Sequence, residues 1–264
     1  MAFNLQQYKA NAGPVDVADI DFDSFRTYPL SPNALRAIRY MSDVETHTVC
    51  YLRDLLVTPS HQDPEVTTFL TMWNLEEFWH GETLDRVLAE HGRPTGDDHI
   101  IAVRKRLGWK DRLSPIKQSV AANVIGDDFI AVHMSWGAIN EWAAFIAYKR
   151  LAEIEGNPVL SEILARIMRQ ETRHLAFYAT QARDRLSASP RARKLTRFAL
   201  KRFWGPVGST IMPKSETSWI LGYLLGGSEG TKAIRKIDSD IDELPGLAGM
   251  SLMRTAVSKY GVAA

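Results

Sequence analysis

Residues 73–81 read Trp-Asn-Leu-Glu-Glu-Phe-Trp-His-Gly, and residues 170–174 read Gln-Glu-Thr-Arg-His. Each stretch contains a Glu-x-x-His pair, which is Glu77 with His80 in the first and Glu171 with His174 in the second. Residues three positions apart lie on one face of a helix, so the carboxylate and the imidazole of a pair can bind the same metal ion. A single pair of this kind also arises by chance, and a lone buried histidine is more often a hydrogen-bonded core residue.

Two isolated glutamates strengthen the metal interpretation. Glu45 and Glu141 each interrupt the apolar face of a predicted helix, as the two Glu-x-x-His pairs do in their own helices. A buried carboxylate without a partner is costly, and four of them close together repel one another strongly unless a cation lies among them. Four carboxylates and two imidazoles suit a pair of iron or manganese ions, whereas zinc sites usually have fewer carboxylates.

Capping signals predict a chain that is nearly all α-helix. A capping residue is followed directly by proline at five places. Proline suits the first helical position because it has no N–H, and an N–H at that position would have no partner within the helix. These pairs are Ser31-Pro32, Asp63-Pro64, Ser114-Pro115, Asn157-Pro158 and Ser189-Pro190. The helical periodicity that follows predicts long helices at 32–57, 64–91, 115–156 (with a candidate break at Gly126) and 158–187, and shorter ones at 190–204, 216–225 and 246–260.

The spacing of the four glutamates indicates two similar helical hairpins. Glu45 and Glu77 are 32 positions apart, and Glu141 and Glu171 are 30 apart. In antiparallel hairpins of the predicted lengths, the two glutamates of each pair lie at similar heights. Residues 92–114 are long enough to cross between the hairpins, and one long crossover is the connection of ferritin-like four-helix bundles.

The sequence therefore predicts an all-α chain built as a single ferritin-like domain. Its parts are an N-terminal arm at 1–30, a di-metal four-helix bundle at 32–187 and accessory C-terminal helices at 188–264. The net charge is only +1, so nothing in the overall charge indicates nucleic acid. The single cysteine, Cys50, excludes an internal disulfide and fits a reducing, cytoplasmic compartment. We expect neither a signal peptide nor a membrane span.

The residues around the two Glu-x-x-His pairs resemble the soluble acyl-carrier-protein desaturases of the ferritin-like superfamily. The shared features are Trp73, the double glutamate, His80 and Gly81 in the first motif, with the arginine, the histidine and Tyr178 in the second. The resemblance implies a di-iron centre with six ligands and an oxygen-dependent oxidation of a fatty acyl chain. Those ligands would be Glu45, Glu77, His80, Glu141, Glu171 and His174.

Two positions depart from the pattern of the plant-type desaturases. Those enzymes have a threonine three residues after the glutamate of the third helix, where this chain has Ala144. They also have an aspartate before the second motif's glutamate, as the outer partner of a ligand histidine, where this chain has Gln170. Because outer partners orient ligands and tune metals, these changes bear on the reaction more than on the metal site. Glu76 is either another outer partner or a surface residue.

The resemblance also implies partners. Arg193, Arg197 and Lys201 lie on one face of a predicted basic helix, which suits an acidic partner such as acyl carrier protein; an ordinary solvated surface is the alternative. No flavin or cluster motif is visible, so we expect an external electron donor such as a ferredoxin. We also expect a homodimer. Alternative functions are a di-iron hydroxylase or N-oxygenase of another small molecule, a ferroxidase, and a metal-bound scaffold without turnover.

Overall fold

A computed structural model describes residues 3–262, apart from the side chains of residues 109–112, 114, 117 and 118. Within this part of the chain there are α-helices, turns and two short 3-10 helices, at Phe22–Arg26 and Pro59–Gln62, but no strand. The prediction of an all-α fold is therefore confirmed. The helices are α1 (Leu5–Asn11), α2 (Pro32–Glu45), α3 (Thr48–Leu55), α4 (Pro64–Glu90), α5 (Asp97–Ile125), α6 (Asp128–Glu155), α7 (Pro158–Ala188), α8 (Pro190–Phe203), α9 (Lys214–Leu225), α10 (Gly227–Asp242) and α11 (Leu252–Ser258).

Four of the five predicted cap–proline starts begin helices. The hydroxyl of Ser31 accepts a hydrogen bond from the Ala34 N–H at the start of α2, and Ser189 caps α8 in the same way. The carboxyl of Asp63 caps α4, and the amide oxygen of Asn157 caps α7. Each side chain satisfies N–H groups that lack a partner within the helix.

The remaining start was placed wrongly. Pro115 lies inside the helical stretch α5, which already begins at Asp97, and the side chain of Ser114 lies outside the described residues. The stretch is interrupted at Gly108, whose φ of 68° leaves the helical region. Glycine adopts this backbone conformation without the steric cost that other residues incur. The predicted break at Gly126 is confirmed, because that residue has a φ of 75° and separates α5 from α6.

Two further helix predictions are corrected. The helix predicted at 32–57 is divided at Thr46 and His47, and α10 occupies a region for which no helix was predicted. Two glycines in the first turn of α10 obscured it, although Ile234, Ile237 and Ile241 recur at helical spacing and are buried. Helical periodicity was therefore present, but poor helix formers at its start hid it.

The chain forms two compact units. One comprises Asn4–Val120 and Leu151–Gln170, and α4 packs there against α1, α2, α3 and both 3-10 helices. Its core includes Ile38 from α2 with Phe69 and Leu84 from α4, all fully buried. The other unit comprises chiefly Ala121–Arg150 and the chain from Glu171 onward, and α10 packs there against α9 and α11. Helix α7 continues without a break from Gln170 to Glu171.

Among the described residues, no helix is both long enough and apolar enough to cross a lipid bilayer.

Candidate metal centre

Glu45 is the last residue of α2, and its side chain is buried. Two threonine hydroxyls donate to backbone carbonyls at this end of the helix. Thr46 donates to the Ser42 carbonyl at 2.9 Å, and Thr48 donates to the Glu45 carbonyl at 2.7 Å. Bonds of this kind are often found where helices bend. A candidate ligand thus lies beside an irregular turn rather than in the middle of a long helix.

Gly81 allows α4 to approach this turn closely. A Cβ atom at position 81 would lie 2.6 Å from Cγ2 of Thr46 and 3.5 Å from Cβ of Glu45. The first distance is well inside van der Waals contact, so only glycine fits here without a shift of Thr46. The glycine that follows His80 in the first motif therefore has a packing role beside a candidate ligand.

Glu77 and His80 lie on one face of α4, and both are buried. The Nδ1 atom of His80 faces Glu77, at 3.7 Å from its Oε2 atom. Glu45, Glu77 and His80 each offer a ligand atom, and these three atoms lie within 4.8 Å of one another. This unit by itself therefore presents two carboxyl groups and one imidazole that could hold a metal ion.

The other ring nitrogen of His80 has a defined partner. Its Nε2 atom lies 2.9 Å from Oε1 of Gln170, and the amide nitrogen of Gln170 donates to the Gly13 carbonyl at 3.0 Å. Gln170, which the sequence identified only as a departure from the desaturase pattern, thus occupies the position of an outer partner. Such partners fix the orientation of a ligand imidazole.

The second unit contains a matching cluster from α6 and α7. Glu141, Glu171 and His174 are all buried, and one ligand atom from each lies within 4.8 Å of the others. The Nδ1 atom of His174 is 3.1 Å from Oε2 of Glu171 and 3.9 Å from Oε2 of Glu141. All six predicted ligand residues therefore belong to one of two buried clusters, each with two glutamates and one histidine.

The donor set fits a hard divalent metal. Carboxylate oxygens and imidazole nitrogens are ligands of iron and manganese, and each cluster's two carboxylates match the charge of one divalent ion. Without a cation, neighbouring buried carboxylates repel one another and lose their hydration. The six buried donors could therefore hold metal ions.

Glu76, which adjoins the candidate ligand Glu77, is buried and is not a surface residue. It is fully buried, and its Oε2 atom accepts a hydrogen bond from the Tyr8 hydroxyl at 2.7 Å. Its Oε1 atom is 3.4 Å from the Gly13 N–H, which donates to it. Sequence reasoning missed Tyr8 and Gly13 because they lie in a polar N-terminal stretch far from the motifs. The only signal was a lone tyrosine in that stretch.

The basic helix is α8, and two of its three proposed docking residues point back into their own unit. Arg193 donates to the Leu186 carbonyl at 2.9 Å, and Arg197 donates to the Gly246 and Ala248 carbonyls at 3.1 and 3.0 Å. Lys201 is exposed, as are Lys194 and Arg202. The outward charge of α8 is therefore carried mainly by residues other than its two inner arginines.

Comparisons of the chain with protein-family models, with curated proteins and with solved structures found no match.

Proposed function

We propose that the protein is an oxygen-activating di-iron oxidoreductase that acts on a fatty acyl chain in the manner of a desaturase. The observation that carries the proposal is the pair of buried clusters, Glu45, Glu77 and His80 in one unit and Glu141, Glu171 and His174 in the other. Each cluster offers the donors of one iron ion. Two such clusters supply the donor set of ferritin-like di-metal proteins, in which two helices give one glutamate each and two give Glu-x-x-His.

We infer that the two clusters are the halves of a single dinuclear centre. Gln170 contacts His80 of the first cluster, and the next residue of the same continuous helix is Glu171 of the second cluster. The hairpin register in the sequence also favours this arrangement. Glu77 and Glu171 each begin a Glu-x-x-His pair, and their carboxylates would be ligands of this centre. The fold that accommodates such a centre is a ferritin-like bundle with one long crossover.

The protein's own residues would balance the charge of the metal ions, orient a ligand histidine and exclude water from this centre. Four carboxylates neutralise two divalent ions, and Gln170 orients His80 from the outside. The six donors are between 0% and 6% exposed, so bulk water is excluded from them. When bound, a pair of iron ions supplies the activation of molecular oxygen, which amino-acid side chains do not provide. Manganese is the other metal that this donor set suits.

The acyl substrate rests on the resemblance of the two motifs to acyl-carrier-protein desaturases. Ala144 and Gln170 depart from that pattern, so desaturation and hydroxylation of the chain are both products to assay. Reduction of the centre requires electrons from outside, for which a ferredoxin-like donor is proposed. The proposed protein partner is acyl carrier protein or another acyl carrier, and a homodimer is a further prediction.

The test is an anaerobic titration of the metal-free protein with ferrous iron, followed by exposure to oxygen. We expect saturation at two ions per chain, Mössbauer spectra of a coupled pair after oxidation, and optical changes on mixing with oxygen. Addition of a reductase system and acyl carrier protein loaded with a saturated chain should then give an oxygen-dependent product two hydrogens lighter.

Other outcomes separate the alternative functions. A product that gains one oxygen atom identifies a hydroxylase, and rapid oxidation of many iron equivalents per chain identifies a ferroxidase. Two bound ions that do not react with oxygen identify a metal-bound scaffold. Saturation at fewer than two ions per chain would overturn the dinuclear centre itself.

A further inference from the structure

We propose that the N-terminal segment, residues 4–13, is part of the metal centre and sets its affinity by holding two outer groups in place. These groups are Glu76, which adjoins the ligand Glu77, and Gln170, which contacts the ligand His80. The inference rests on the proposed metal centre but concerns residues that no motif identifies. All of the contacts that carry it lie within one unit of the chain.

The backbone of Gly13 fixes the direction of the Gln170 amide. The Gly13 carbonyl can only accept a hydrogen bond, so the group of Gln170 that lies 3.0 Å from it must be the NH₂ group. The amide oxygen of Gln170 then faces Nε2 of His80 at 2.9 Å. The backbone of the N-terminal segment thereby decides which end of the amide the histidine meets.

The amide oxygen of Gln170 in turn fixes the position of the ring proton of His80. An amide oxygen only accepts, so Nε2 of His80 must carry the N–H that donates to it. In the neutral ring, Nδ1 then holds the lone pair. That atom is the one that faces Glu77, at 3.7 Å from its Oε2 atom. Gly13 therefore selects, through Gln170, the ring form in which the nitrogen beside the carboxylate cluster carries the lone pair, as a metal ligand requires.

Glu76 accepts hydrogen bonds from two residues of the N-terminal segment. The Tyr8 hydroxyl donates to one of its oxygens at 2.7 Å, and the Gly13 N–H donates to the other at 3.4 Å. Glu76 precedes Glu77 on α4, so its position constrains the helical turn that presents the ligand. The ring of Tyr8 packs against Phe69 with centroids 5.4 Å apart, which anchors the segment by apolar contact as well. Gly13 thus contacts both outer groups at once.

The test compares two variants with a matched control in the full chain. Tyr8→Phe removes only the hydroxyl and keeps the ring, and Gln170→Met keeps the length of the side chain but removes both polar groups. Tyr28→Phe removes a hydroxyl at an exposed position of the same N-terminal region. Ferrous and manganous affinities are measured by competition with a chelator. We expect roughly a tenfold loss for Tyr8→Phe and up to about a hundredfold loss for Gln170→Met, the range typical of outer partners.

Reciprocity gives a second readout that does not depend on enzyme activity. If the segment strengthens metal binding, bound metal must strengthen the attachment of the segment by the same factor. Lys9 is exposed and is the only lysine or arginine before Arg26, so tryptic cleavage after it reports release of the segment. We expect metal to slow this cleavage in the wild-type protein and in Tyr28→Phe, but much less in Tyr8→Phe.

The possible results separate the inference from the proposed function. Wild-type protein that binds no metal would overturn the metal centre and this inference together. Wild-type protein that binds two ions, with affinities and cleavage rates unchanged in Tyr8→Phe and Gln170→Met, would overturn this inference alone. Urea unfolding of each metal-free variant shows whether any loss of affinity reflects general destabilisation. Equal losses of affinity and of apo stability would assign the segment a purely structural role and overturn the inference.

Discussion

The ring of Tyr178 lies directly over the backbone of Gly137. A Cβ atom at position 137 would be 2.2 Å from Cε1 and 2.3 Å from Cδ1 of the tyrosine. Gly137 is on α6, four residues before Glu141, and Tyr178 is on α7, four residues after His174. The tyrosine is fully buried, so an added Cβ atom would force a shift within the core. This contact therefore fixes the spacing of α6 and α7 one helical turn from the candidate ligands.

Gly137→Ala is expected to destabilise the protein by about 1–3 kcal/mol, the usual cost of overpacking a core. It should also weaken metal binding, because α6 and α7 carry the second cluster. The control is Gly222→Ala, since that helical glycine has open space around its Cβ position. Alanine there should stabilise the protein by about 0.5–1 kcal/mol. Urea unfolding of the metal-free proteins measures both effects, and equal stabilities of the two variants would contradict the prediction.

Removal of the carboxylate of Glu77 or Glu171 should lower metal occupancy sharply. Glu77→Ala and Glu171→Ala each take away a proposed carboxylate ligand of the centre, so we expect fewer than two ions per chain. Glu82→Ala is the control, because Glu82 lies on the same helix as Glu77 but is exposed. Metal content after dialysis against a weak chelator measures the outcome. Two ions per chain in both ligand variants would show that the six residues do not form the site.

His133 should make the protein less stable in mild acid. Burial first, and then the positive charge of Arg185, lower the pKa of His133 to about 3 from the usual 6.5. The unfolded chain therefore takes up a proton below pH 6.5 that the folded chain does not. The contribution of the neutral ring to the free energy of unfolding is complete above pH 6.5. It falls by about 1.4 kcal/mol per pH unit as the pH drops toward 3.

The check is urea unfolding of the metal-free protein at several pH values between 6.5 and 4.5. His133→Gln should show a shallower fall in stability than the wild-type protein. Ser135→Ala is the control, because it removes a buried hydroxyl two residues away that does not titrate in this range. A slope for His133→Gln as steep as that of wild type would show that the buried ring is not the source.

The inner and outer cations of α8 should have separate effects. Arg193 donates a hydrogen bond to a backbone carbonyl before α8, and Arg197 donates to one after α10. Replacing both arginines with glutamate should therefore lower the melting temperature. Each hydrogen bond lost from a charged donor lowers the free energy of unfolding by at most about 1.5–3 kcal/mol. The loss is smaller where water replaces the bond. Reversing the exposed Lys194 and Lys201 should leave the melting temperature nearly unchanged.

The exposed pair instead tests the proposed carrier docking. Reversal of Lys194 and Lys201 should slow association with acyl carrier protein and reduce its dependence on salt, because steering by unlike charge is lost. Binding kinetics across a salt series provide the measurement, with metal content as a check on the fold. Carrier binding that is unaffected in this variant would reject α8 as the docking surface.

The sequence by itself determined the helical class, most helix starts and the six candidate ligands. Cap–proline pairs are local signals, so they predicted the starts of α2, α4, α7 and α8 correctly. A glutamate on an apolar face is likewise visible without coordinates, because helical periodicity assigns each residue to a face. That reasoning found Glu45 and Glu141 although neither belongs to a motif.

Only the tertiary structure decided what surrounds those ligands. The first long predicted helix is divided at Thr46, where Gly81 of α4 approaches closely, and helical periodicity does not record such an approach. The partners of Glu76 and Gln170 come from Tyr8 and Gly13, the latter 157 positions from Gln170. Contacts between residues so distant in the chain are fixed by packing, and a single sequence carries no local signal for them.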